Sequence, residues 1–189
     1  MPSARESAKR RRFDACVMVH LEDLYRAARR LTRKPADAED LVQETCMRAF
    51  QAIEQLRQPE AARAWLFAIL RSVFLRHAER SAMRPTPANP EILETFARSA
   101  DFAGMHQEIS SRRHTSALED IRESILGLAV PFREAIVLAH VGGFSYKEMA
   151  HILEVPIGTV MSRLHRARRL LRLALGEPAG RPRDAEPSR

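Results

Sequence analysis

The segment GFSYKEMAHILEVPIGTVMSRLHRARRLL, residues 143–171, restricts the fold more than any other part of the chain. Ser145 and Glu148 stand in the S-x-x-E spacing of a capping box, which starts a helix at about Tyr146. Met149, Ile152 and Leu153 give that short helix an apolar face. Glu154-Val155-Pro156 forms a turn, and Pro156 or Ile157 opens a second helix, where the missing proline N–H costs nothing. In that helix Ile157, Val160, Leu164, Ala167 and Leu171 recur at helical spacing and face inward. Two helices joined by so tight a turn read as a helix-turn-helix.

Thr159, Ser162, Arg163 and Arg166 share another face of the second helix. Small hydroxyl residues near a helix N-terminus let its backbone approach a DNA groove. Arginines one turn on can reach guanine edges or phosphates, which is how a helix-turn-helix uses its second helix. Arg168, Arg169 and Arg172 lie further along and suit phosphate contact. A plain amphipathic helix with a solvated arginine face would need the capping box, the tight turn and five arginines without an acid between Val155 and Gly176 to coincide. Bulk charge agrees with a polyanionic partner: 31 Lys+Arg against 24 Asp+Glu give a net charge of +7.

The rest of the chain has the same helical character. Gly is scarce, at 7 of 189 residues, and strand-type alternation is absent. Aromatics are 6%, so the cores are built from Leu, Ile, Val and Ala. These features predict an all-α fold of two small helical domains joined by a flexible linker. Residues 1–12 read as a loose basic arm. Residues 13–84 form the first domain. Its first helix carries Val17, Leu21, Leu24, Ala28 and Leu31 on one face. Pro35 ends that helix, and Asp37 can cap the next. Ala38, Leu41, Thr45, Ala49, Ala52, Ile53 and Leu56 stripe the second helix. RQPEAAR is a short loop, and AWLFAILRSVFLRHAER is a third helix, apolar nearly all round at its start and therefore deeply buried. Trp65 in that run reads as core rather than a stacking platform. Residues 85–115 are a Pro-rich linker with a short helix around Glu91–Arg98. Residues 116–176 form the second domain, and 177–189 a disordered tail.

Cys16 and Cys46 lack metal or disulfide spacing and read as ordinary small side chains. The histidines are scattered. No nucleophile–base pair, Gly-rich phosphate loop or metal cluster appears, so no enzyme activity, metal, cofactor or small-molecule substrate is expected. ACVMVHL, bracketed by Asp14 and Glu22, is too short for a signal peptide's apolar region, and no run reaches membrane-span length. A cytoplasmic protein without membrane insertion is expected.

PADAEDLVQETCMRAF, then RAWLFAILRSVFLRHAER, then GFSYKEMAHILEVPIGTVMSRLHRAR, in this order and at this separation, resemble the extracytoplasmic-function sigma factors of the bacterial sigma-70 family. The resemblance covers about 13–84 and 116–176. It implies a promoter-specificity subunit that binds core RNA polymerase, reads the −35 promoter element with the second domain, and reads and opens the −10 element with the first. Thr159, Ser162, Arg163, Arg166, Arg168 and Arg169 would contact the −35 DNA. Gln55–Arg63 would form a capture loop for the −10 strand, with Arg63, Arg71, Ser72, Arg76 and Arg80 along it. The segment Asp37–Glu44 holds four acids and no base, and the resemblance makes Asp37, Asp40, Leu41, Gln43 and Glu44 the polymerase-docking residues. An acidic, partly apolar face suits a basic coiled coil, although ordinary helix capping and solvation would explain the same acids.

Three positions depart from the family pattern. Ser72 stands where Asn is common, Arg76 where Asp is common, and Met161 where Lys is frequent. The resemblance also implies an anti-sigma factor as partner. The PIGTVMSRLHRAR wording is similar to members paired with zinc-binding, redox-sensing anti-sigma factors, and to other groups as well. Two other functions fit the same residues: a stand-alone helix-turn-helix regulator, and a sigma-like decoy that binds a partner without directing transcription.

Overall fold

The computed structural model describes residues 3–83 and 117–176. Among them are eight α-helices, three short 3-10 turns and no strand. The protein is all-α, with two helical domains. The expected linker 85–115, its short helix around Glu91–Arg98 and the expected tail 177–189 lie outside the described residues.

The first domain holds α1 (Ala4–Val17), α2 (Leu21–Leu31), α3 (Pro35–Ala52) and α4 (Ala62–Met83). The loose arm expected over 1–12 is corrected: α1 begins at Ala4, with the Ser3 hydroxyl accepting the Glu6 N–H at 3.2 Å. Good helix formers without a breaker fill this stretch. Distant partners hold it in place. Lys9 sits 4.8 Å above the Phe50 ring, Phe13 meets the same ring edge-on, and Arg12 donates to the Leu56 carbonyl. The first helix expected from Phe13 is interrupted by a 3-10 turn at Met18–His20. Asp37 is not the cap of α3. Pro35 opens the helix, Lys34 precedes it without a side-chain cap, and Asp37 lies in the first turn, where its charge favours the positive end of the helix dipole.

The core of this domain follows the stripes. Leu24, Ala27 and Ala28 of α2, Ala38, Leu41 and Ala49 of α3, and Leu66, Phe67, Leu70 and Val73 of α4 are essentially inaccessible to solvent. Thr45 is buried too, its hydroxyl donating to the Leu41 carbonyl at 2.7 Å, so burial leaves that polar group partnered. Trp65 is partly buried and packs against the same core.

The second domain holds α5 (Ala117–Gly127), α6 (Val130–His140), α7 (Tyr146–Leu153) and α8 (Ile157–Ala174). The capping box forms as expected. Glu148 N–H donates to the Ser145 hydroxyl at 3.3 Å, and Ser145 N–H donates to the Glu148 carboxylate at 2.8 Å. The turn after α7 takes Glu154 through the left-handed region at φ 54°, so the chain reverses without a glycine there. Before α7, Gly142 is required by space. A Cβ there would lie 2.5 Å from the Phe144 ring and 2.7 Å from the Leu138 carbonyl oxygen. Phe144 is thereby folded under the chain. In α6, Glu134 through Leu138 are all buried. A helix covered on so many sides needs two partners: α8 lies on one side and α2 on another.

The two domains therefore pack against each other, and their buried side chains join one cluster. Phe67 of α4 meets Phe144 edge-to-face at 4.9 Å. Arg71 of α4 lies 3.1 Å from buried Glu134 of α6. Arg122 of α5 donates to the carbonyls of Arg29, Thr32 and Arg33 at the C-terminal end of α2, at 3.3, 3.3 and 2.5 Å. Arg133 of α6 donates to the Leu31 carbonyl at 3.0 Å. Two guanidinium groups thus satisfy carbonyls that a helix end leaves without intrahelical partners, and oppose its negative dipole.

Candidate nucleic-acid and polymerase interfaces

Helix α8 buries Val160, Leu164 and Ala167 and exposes Ile157, Met161, Ser162, His165 and Arg166. Met161, Ser162, His165, Arg166 and Arg169 line an open cleft on the outer face. The Ser162 hydroxyl donates to the Thr159 carbonyl at 3.0 Å, so its oxygen is left to accept. Arg166 lies 5.6 Å from the Phe132 ring centroid, a cation–π contact that steadies the guanidinium without neutralising it. Ser162, Arg166 and Arg169 of the expected DNA-binding set come together here, and Arg168 is exposed beside them. Thr159 and Arg163 are half-buried instead, and the charge of Arg163 acts on Glu134 at the domain junction. Sequence reasoning named Met161 only as a departure from the family pattern and missed His165 as a cleft residue. Their spacing of four and eight from Ile157 was the available signal.

The residues expected along the −10 strand are less free. Arg63 pairs with Asp23 at 3.0 Å and lies over Phe144 of the other domain, 5.1 Å from the ring centroid. Arg71 is held by Glu134 at 3.1 Å and approached by Glu154 at 3.9 Å. Burial pushes the Glu134 carboxyl above the usual carboxylate range, and Arg71 and Arg163 work against that rise. Arg76 lies 3.7 Å from Glu44 and donates to the Ser72 carbonyl of its own helix. Ser72 and Arg80 are exposed. An open groove runs along this face of α4, walled on one side by Arg71, Ser72 and Arg76 and on the other by His151, Glu154 and Pro156 of the helix-turn-helix.

On α3, Asp37, Asp40 and Gln43 are exposed. Leu41 is not a docking residue: it is wholly buried in the core, because its place in the apolar stripe outweighs its acidic neighbours in sequence. Glu44 is half-buried and already engaged. It accepts from Arg48 at 2.7 Å and lies 2.6 Å from His77 Nε2. The His77 hydrogen bond, helped by Arg48 and opposed by burial, holds the Glu44 carboxyl below its ordinary range. Glu44 thus ties α3 to α4. Met47, 55% exposed one turn beyond Gln43, supplies an apolar element on the acidic face that the sequence stripe did not indicate.

Among the described residues no three His, Cys, Asp or Glu side chains could hold a metal ion together, and no helix is long and apolar enough to cross a membrane. Cys16 is buried, and Cys46 is half-buried with its thiol pKa raised by burial.

Residues 16–83 match the family model of sigma-70 region 2, and residues 118–171 that of sigma-70 region 4. The chain is 35% identical over 161 residues to the ECF RNA polymerase sigma factor SigE of Mycolicibacterium smegmatis, covering 85% of this chain and 60% of that protein. It is 34% identical over 174 residues to the ECF RNA polymerase sigma factor SigC of Mycobacterium tuberculosis, covering 89% of this chain and 85% of that one. The fold resembles the sigma factor RpoE of Bartonella quintana, solved with the anti-sigma factor NepR. The TM-score is 0.64 at 27% identity, over 85% of this chain and 94% of that one. It also resembles CnrH, solved with the cytosolic domain of CnrY. There the TM-score is 0.59 at 26% identity, over 88% of this chain and 89% of that one.

Proposed function

Because the chain belongs to the extracytoplasmic-function sigma factors of the sigma-70 family, we propose that it binds core RNA polymerase and directs promoter-specific initiation of transcription. Residues 13–84 act as the polymerase-docking and −10 unit and residues 116–176 as the −35 unit. Their partners are polymerase, promoter DNA and an anti-sigma factor. The protein works in the cytoplasm and catalyses no reaction of its own.

The observation that carries this reading is the cleft on α8. It presents Ser162, Arg166 and Arg169 outward from a helix whose opposite face is buried, on a helix-turn-helix held by a complete capping box. Arginine and hydroxyl groups on one exposed helix face suit phosphates and base edges of the major groove. The exposed acids of α3, with Met47 among them, suit a basic helical partner. The closed packing of the domains bears on the −10 role. Arg63 and Arg71 have partners across the junction, so they reach a DNA strand once the second domain has moved away. The sigma factor RpoE is described in complex with the anti-sigma factor NepR, which supports an inhibitor for this chain as well.

Co-elution of the full chain with core RNA polymerase tests the docking role. The wild-type chain is expected to co-elute, and Asp40→Lys, which changes an exposed side chain, is expected to elute apart while keeping its helical circular dichroism. Normal co-elution of the variant would remove the α3 face from docking. A chain that ignores polymerase but binds a palindromic operator as a free dimer would be a stand-alone regulator.

A further inference from the structure

Helix α8 exposes apolar side chains that its packing does not use. Val160, Leu164 and Ala167 make the buried seam, yet Ile157 is 46% and Met161 52% exposed one turn apart. Met161 stands inside the cleft with Ser162, His165, Arg166 and Arg169. The surrounding charge is all of one sign, since no acid occurs between Val155 and Gly176. Such a cleft favours a polyanion, and the polyanion must also offer something apolar to the methionine. In the major groove one base edge does so: the C5-methyl group of thymine.

We infer that Met161 is a specificity-determining residue of the −35 contact and selects thymine through its C5-methyl group, with Ile157 exposed one turn before it. The inference rests on the proposed role of α8 in −35 recognition. An unbranched thioether adapts to the position of a methyl group without a fixed geometry. A lysine at position 161 would add a charge to the backbone contact and read no methyl group. The methionine exchanges salt-dependent affinity for discrimination at one base pair.

The test uses polymerase reconstituted with the full chain, on a promoter obtained by mapping its transcript starts. Each thymine of the −35 element is replaced singly by deoxyuridine, which removes only the methyl group. One position is expected to lose initiation roughly fourfold, the worth of one buried methyl group. Met161→Ala should initiate equally from the thymine and uracil templates, and Met161→Leu should keep the difference. Met161 is exposed, so these variants leave the core intact. The inference is overturned if no thymine is sensitive, or if the sensitivity survives in Met161→Ala. Scrambling the whole element separates this failure from failure of the underlying role: if scrambling changes nothing, α8 does not read the element at all and both ideas fall.

Discussion

The Arg122 guanidinium is the place to test whether the two domains are latched. It donates to three carbonyls at the end of α2, at 3.3, 3.3 and 2.5 Å, from a side chain only 19% exposed. Among the described residues of its own domain it pairs only with the neighbouring Glu123. Arg122→Ala therefore removes a tie between domains with little effect on either. A hydrogen bond to a charged group contributes about 1.5–3 kcal/mol. One guanidinium shared among three acceptors, two of them long, should contribute about 2 kcal/mol in all, helped by the helix dipole. That is roughly a 30-fold change in the ratio of closed to open forms. Dyes at Met47 and Leu173, both exposed, would report the ratio by single-molecule energy transfer in a chain with Cys16 and Cys46 replaced by alanine. Glu54→Ala serves as the control: its 3.3 Å pair with Arg5 lies within the first domain, is largely exposed and contributes below about 1 kcal/mol. If polymerase takes only the open form, its apparent affinity for Arg122→Ala should rise by up to the same factor. An unchanged distance distribution in Arg122→Ala, or equal opening in the control, would refute the latch.

Glu134 makes the stability of the fold sensitive to pH. Burial raises its carboxyl pKa above the ordinary value, so the folded chain binds the proton more readily than the unfolded one. Its contribution is fully present below the ordinary value and is lost as pH rises through the raised one; urea denaturation across that range should show this, and Glu134→Gln should remove the dependence. Glu44 has the opposite sign. His77 and Arg48 hold its carboxyl low, so its stabilising tie between α3 and α4 is present above the ordinary value of 4.5 and is lost as pH falls through the depressed one. Glu44→Gln should lower stability at neutral pH by about 1 kcal/mol, read by urea denaturation, and should cost little in acid. Ser145→Ala breaks the capping box and should destabilise the second domain by about 1 kcal/mol, with −35 binding falling in step with the unfolded fraction rather than with promoter sequence.

Local chemistry was legible in the sequence. Ser145 and Glu148 announce the start of α7, Pro156 and Ile157 the start of α8, and the apolar run from Trp65 the buried middle of α4. Each is decided within one or two helical turns. The acidic segment shows where local signals compete. Leu41 belongs to a stripe of period 3.6 and is buried, so periodicity was the better guide to it than its acidic neighbours. Long-range effects left no local trace. Residues 4–12 have the composition of a helix, but the contacts with Phe50 and Leu56 that hold α1 in place come from elsewhere in the fold. Arg122 reaches Arg29 across a separation of 93 residues, and no period or motif marks such a partner. The same holds for Arg63 and Arg71: their charge is plain in the sequence, but their engagement by Phe144 and Glu134 depends on how the domains meet.

The central claim is promoter-specific initiation, and in vitro transcription tests it most directly. Core RNA polymerase would be given sheared genomic DNA of the source bacterium, with and without the full chain, and transcript starts would be mapped. New starts that appear only with the chain and share upstream elements at −35 and −10 are expected. No new starts, despite specific DNA binding by the free chain, would contradict the claim and leave a stand-alone regulator. Neither starts nor binding would leave a decoy.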